Sequence, residues 1–98
     1  MYKIVLRPRA AKEYLESIIW YQERSLEAAE NFVTAVNTAF TSIELQPASY
    51  KKIYKHFREI KLKKYPFTVI YFIDEETKRI VITTIFHNKR NPSKKFER

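Results

Sequence analysis

Cations make up most of the side chains in this sequence that can do chemistry. Arg58, Lys61, Lys63, Lys64, Lys89 and Arg90 lie in the second half, His87 ends an apolar run, and Lys94, Lys95 and Phe96 follow in the closing segment. Clustered Lys and Arg displace counterions from phosphates and steer encounter with a polyanion. His87 adds a group that exchanges a proton near neutral pH. Other chemistries are excluded by what is absent. With no cysteine there is no disulfide framework, thiolate metal site or thiol nucleophile. With no glycine there is no phosphate-cradling loop or dinucleotide fingerprint. Paired carboxylates, metal-ligand spacing and a Ser-His-Asp signature are missing, so neither a cofactor nor a metal is expected.

The charge is unevenly placed. The chain carries 19 Lys and Arg against 11 Asp and Glu. Residues 1–49 hold five basic and six acidic residues, whereas residues 50–98 hold 14 and five, so the second half is +9. A polyanionic partner, an acidic protein or a simple solubility charge each fit that asymmetry. At 98 residues and 45% hydrophobic content, one domain spanning 1–98 is expected. No stretch approaches the roughly 20 apolar residues of a membrane span, and the apolar start is too short for a signal peptide. A soluble cytoplasmic protein without a membrane partner is the expectation.

The elements that must position these residues follow from periodicity. Tyr2 to Leu6 alternates around β-branched residues and reads as a strand that Pro8 ends. Ala11, Tyr14, Leu15, Ile18 and Tyr21 form one helical stripe. Ser25 is placed to cap a second helix carrying Ala29, Phe32, Val33, Val36, Phe40 and Ile43, which Pro47 stops. Glu59 to Lys63 alternates, while Phe67–Ile73 and Ile80–Phe86 are β-branched and aromatic runs flanking a polar turn. The order β-α-α-β-β-β describes an α+β fold, with a helical hairpin packed on one face of a small, mostly antiparallel sheet.

Pairing Ile73 with Ile80 sets Val69 opposite Thr84 and Phe67 opposite Phe86. Pairing Lys63 with Phe67 puts Lys61 and Lys63 on one face with Val69 and Tyr71. Ile60, Leu62, Ile70, Phe72, Val81 and Ile85 then face the helices. Arg58, Lys61, Lys63, His87 and Arg90 gather at one end of the sheet in this register. Each has a plainer role as well. His87 can satisfy a strand end, the lysines can be the wet side of a strand, and Tyr71 is either a base-stacking platform or core. His56 reads as an exposed residue in a basic loop, and Glu59 as the partner of a neighbouring cation.

Arg58-Glu59-Ile60-Lys61-Leu62, Tyr65-Pro66-Phe67-Thr68-Val69-Ile70-Tyr71, Ile80-Val81-Ile82 and Ile85-Phe86-His87-Asn88-Lys89-Arg90-Asn91-Pro92 together resemble toxins of the RelE/ParE superfamily. With the N-terminal strand and helical hairpin, the similarity spans almost the whole chain. The resemblance implies the toxin of a bacterial type II toxin–antitoxin pair, neutralised by a small, often acidic antitoxin. RelE-like members cut mRNA on the ribosome without a metal, activating a 2′-hydroxyl and stabilising a phosphorane with fixed positive charge. ParE-like members poison DNA gyrase and have no established hydrolytic centre. His87, Arg90, Arg58, Lys61 and Lys63 match the basic residues of the nuclease branch. Asn88 follows His87 where a His-Tyr pair would be expected, and Phe96 stands where a tyrosine would serve. The Pro66–Tyr71 strand and the Phe86–His87 strand end are closer to the ParE branch. The resemblance therefore implies a gyrase-directed toxin. A ribosome-dependent endoribonuclease and a non-toxic nucleic-acid-binding domain are the alternatives. Target contacts are expected at Lys61, Lys63, Lys64, Tyr71, Lys89, Arg90, Lys94, Lys95 and Phe96.

Overall fold

A computed structural model describes residues 2–89; Arg90, Lys94, Lys95 and Phe96 lie outside the described residues. The chain opens with β1 (Lys3–Leu6) and turns at once into α1 (Pro8–Gln22). Pro8 suits the first helical turn because its missing N–H would have no partner there. Helix α2 (Leu26–Leu45) begins at the expected cap, with the Ser25 hydroxyl accepting from the Ala28 amide at 2.9 Å and Glu27 in the first turn. It ends before Pro47, which opens a short 3₁₀ turn (Pro47–Ser49). Four strands follow: β2 (Lys51–Tyr54), β3 (Phe57–Lys61), β4 (Phe67–Asp74) and β5 (Arg79–His87).

The five strands form one mixed sheet in the order β1-β5-β4-β3-β2. Strand β1 runs parallel to β5, and the other pairs are antiparallel. The α+β class and helical hairpin agree with the sequence reading, but β2 is an addition. Lys51-Lys52-Ile53-Tyr54 offers a single aliphatic residue to bury, a pattern tolerated at a sheet edge, where lysines discourage further pairing. Its connection to β3 is only Lys55-His56, and Lys55 adopts a left-handed φ of 50°.

The core lies between the helices and one sheet face. Ala10, Phe32, Val36, Ala39 and Ile43 meet Leu62, Phe67, Val69, Tyr71, Ile80, Ile82 and Ile85, all buried. In α1 the inward stripe runs through the buried Ala10 and the partly buried Tyr14, Ile18 and Tyr21. Leu15 is 58% exposed, so the expected Ala11–Leu15 side of the stripe is turned outward.

Two register details correct the expected faces. Ile73 does pair with Ile80, but the ladder shifts between Ile70 and Tyr71, so Val69 meets Ile85 and Phe67 meets His87. Between β3 and β4, Ile60 pairs with Val69 and Lys61 with Thr68, one residue away from the Lys63–Phe67 pairing. Because side chains alternate with period two, that slip exchanges the faces of β4. Val69 and Tyr71 point to the helices, while Ile70, Phe72 and Val81 leave that face. Among the described residues, no helix is long and apolar enough to cross a membrane.

Candidate functional site

The end of β5 that carries His87 is held by hydrogen bonds. The β1 ladder on β5 stops at Leu6 opposite Ile82, so from Thr83 onward this edge of β5 has no β1 partner. Glu13, in the second turn of α1, takes that place. Its Oε1 accepts from the Thr84 hydroxyl at 2.6 Å and from the Ile85 amide at 2.9 Å. Its Oε2 meets Arg9 Nε at 3.3 Å. At the tip of the strand, the His87 ring meets Phe67 edge-on with centroids 5.1 Å apart. The Lys89 amide donates to His87 Nδ1 at 3.2 Å, and a nitrogen that accepts in this way carries no proton. Asn88 is fixed on both sides. Its amide donates to the Pro66 carbonyl at 2.7 Å, and its Oδ1 accepts from the Thr68 hydroxyl.

The other expected members of the cluster lie elsewhere. Arg58 pairs with Tyr71, four residues along β4 from the Phe67–His87 pair, roughly 13 Å at strand spacing. Its guanidinium donates to the carbonyls of Tyr50 at 2.7 Å and Ala48 at 3.1 Å, holding the 3₁₀ turn against the sheet. Lys61 shares a face with Thr68, whereas His87 shares one with Phe67, the adjacent residue on the opposite face. Arg58 and Lys61 therefore do not join His87 in one cluster. Tyr71 is no stacking platform: it is fully buried, and its hydroxyl donates to the Pro47 carbonyl at 2.6 Å. Burial pushes the Tyr71 phenol up to about 12, although the nearby Arg58 charge pulls the other way.

Lys61, Lys63 and Lys64 instead line an open groove of about 730 Å³ between α2 and the β3–β4 connection. Thr34, Ala35, Thr38 and Ala39 form its helical wall, small residues at helical spacing that keep the groove from filling. Beside it, β2 begins at Lys51 opposite Glu59, so the β2 ladder does not reach Lys61 on that edge. A groove lined by apolar side chains and three lysines beside an open strand edge has the features that suit an extended, acidic segment.

A family model describing the ParE toxin of the type II toxin–antitoxin system parDE matches residues 4–92, nearly the whole chain. The chain belongs to the ParE toxin family. Solved structures agree on the fold. The chromosomal ParDE system from P. aeruginosa aligns with a TM-score of 0.71 at 19% identity, covering 89% of this chain and 96% of that one. The isolated E. coli RelE toxin aligns with a TM-score of 0.64 at 16% identity, covering 92% and 87%. The intact E. coli RelBE toxin–antitoxin complex gives 0.62 at 17%, covering 92% and 100%. No curated protein sequence matches. Within the family fold, Glu13, Thr84 and Thr68 carry no site role in the sequence reading, and Asn88 enters it only as a departure from the nuclease pattern. Glu13 is one acid among six in the first half, and no local pattern marks it as the partner of a strand about 70 residues away.

Proposed function

We propose that this protein is a growth-inhibiting toxin that acts by binding DNA gyrase, and that an acidic segment of a cognate antitoxin neutralises it by occupying the Lys61–Lys63–Lys64 groove. One observation carries the choice of target: among the described residues, Arg58, Lys61 and His87, which a metal-free ribonuclease would concentrate around a phosphate, are dispersed. Arg58 is committed to two backbone carbonyls, and Lys61 and His87 stand on opposite faces. Asn88 is likewise committed to Pro66 and Thr68. A transition state whose charge is stabilised by fixed cations needs them within hydrogen-bond reach of one reacting group. Family membership and the solved ParDE and RelBE complexes support the antitoxin partner.

Inducible expression in bacteria tests this reading. Expression without a partner is expected to arrest growth, and the His87→Ala protein is expected to arrest it as well. Normal growth of cells holding folded, partner-free protein overturns the toxin reading. Loss of arrest in a folded His87→Ala protein overturns the binding mechanism in favour of ribonuclease chemistry.

A further inference from the structure

Four side chains from three parts of the chain meet on the sheet face turned away from the helices. The His56 ring stacks on Phe57 with centroids 4.6 Å apart and 25° between planes. It meets Phe72 edge-on at 5.2 Å, and Phe57 meets Phe72 edge-on at 5.9 Å. Arg7, from the β1–α1 connection, places its guanidinium 5.4 Å from the Phe72 ring centre. Phe72 follows the buried, helix-facing Tyr71, and alternation puts it on the other side. It is five residues from Phe67, the partner of His87, so the cluster sits roughly 17 Å from the strand end bearing His87.

The hairpin between β2 and β3 extends this cluster into solvent. Tyr54 is 50% exposed, with Lys55 Nζ 5.4 Å from its ring centre. Lys51, Lys52, Lys55 and His56 are all exposed, and residues 45–58 contain no acid. Lys55 holds its left-handed φ without being glycine. Glu59 and Asp74 share this sheet face, the first buried opposite Lys51 and the second opposite Arg79. The aromatic faces of the hairpin, interleaved with exposed cations, provide what an unpaired nucleotide strand needs: π-faces for bases and positive charge for phosphates. A duplex does not offer its base faces in this way, because they are already stacked.

We propose that the β2–β3 hairpin, together with Phe72 and Arg7, is a binding platform for single-stranded nucleic acid. Bases stack on the His56 and Tyr54 rings, and phosphates lie against Lys51, on the platform's face of β2, Lys55 and Arg7. The proposal does not depend on gyrase or on an antitoxin, and its test uses neither.

The full chain is titrated against a fluorescent oligothymidylate of about twelve nucleotides, followed by anisotropy at several salt concentrations. Binding is expected to weaken as salt rises. His56→Ala is expected to weaken it roughly fivefold or more, the loss of one stacking contact, while His56→Phe retains it. The double variant Lys51→Ala/Lys55→Ala should weaken binding and reduce the salt slope by about one to two. Both lysines are exposed, so this arm stays decisive if His56→Ala fails to fold. No binding at low salt overturns the proposal. So does binding unchanged in the lysine variant, or displacement by polyglutamate as effective as displacement by unlabelled oligonucleotide.

Discussion

Glu13 stands in for a missing strand beside Thr84. Its carboxylate accepts from the Thr84 hydroxyl at 2.6 Å and from the neighbouring Ile85 amide at 2.9 Å, where β1 no longer reaches β5. Glu13→Ala leaves two donors without this acceptor on a strand where Thr84 and Ile85 are both buried. It should cost about 2 kcal/mol or more. Glu13→Gln keeps an oxygen acceptor without the charge and should cost less. Denaturant midpoints measured for the two variants check the order.

Arg58 should behave as a structural cation. Arg58→Ala removes the donors to Ala48 and Tyr50 and should destabilise by about 1–3 kcal/mol. Arg58→Lys should recover only part of that, since both bonds come from one terminal nitrogen, Nη1, and the lysine ammonium sits one atom short of its place. Growth inhibition by both variants is expected to follow the folded fraction, measured on the same samples by thermal unfolding. A folded Arg58→Lys protein that no longer inhibits growth contradicts this role.

Much of the fold is legible in the sequence because local signals and long periodic runs agree. Ser25 is the second-helix cap that its position suggests, and Pro8 and Pro47 bound the helices where a missing N–H requires it. The sheet faces are less legible for a physical reason. Phe67 to Ile70 is buried on both sides, so the hydrophobic pattern of β4 carries no alternation to set a register. The ladder shift at Ile70–Tyr71 then changes the partners of every residue beyond it. The expected basic cluster treats one end of the sheet as one site, but alternation puts Lys61 and His87 on opposite faces in the simple pairing scheme and in the structure alike.

Tyr71 gives the protein an alkaline limit. Its phenol is raised by burial to about 12, against roughly 10 in an unfolded chain. Between those values the folded state keeps a proton that the unfolded state loses. The stabilisation is therefore fully present below pH 10 and falls as pH rises toward 12. Burial also raises Tyr14, which adds in the same direction. Tyr71→Phe should be less stable at neutral pH, lacking the bond to Pro47, yet lose less between pH 10 and 12. Urea unfolding as a function of pH measures both effects.

The groove lysines should govern how fast an antitoxin arrives. Lys61, Lys63 and Lys64 line the groove, and all three are exposed, so their field is screened over about 10 Å at 0.1 M salt. Replacing all three with alanine is expected to slow association about tenfold at low salt and to flatten its salt dependence. Surface plasmon resonance across a salt series measures this. An association rate independent of salt in the parent protein removes electrostatic steering from the account.

The central claim is that this ParE-family protein works by holding its target rather than by cutting RNA. The most direct measurement offers the purified full chain to DNA gyrase with supercoiled plasmid and, in parallel, to ribosomes translating a defined mRNA. The account predicts trapped gyrase–DNA cleavage complexes, seen as linear plasmid after denaturation, and intact mRNA. Cleaved mRNA with unaffected gyrase would contradict it.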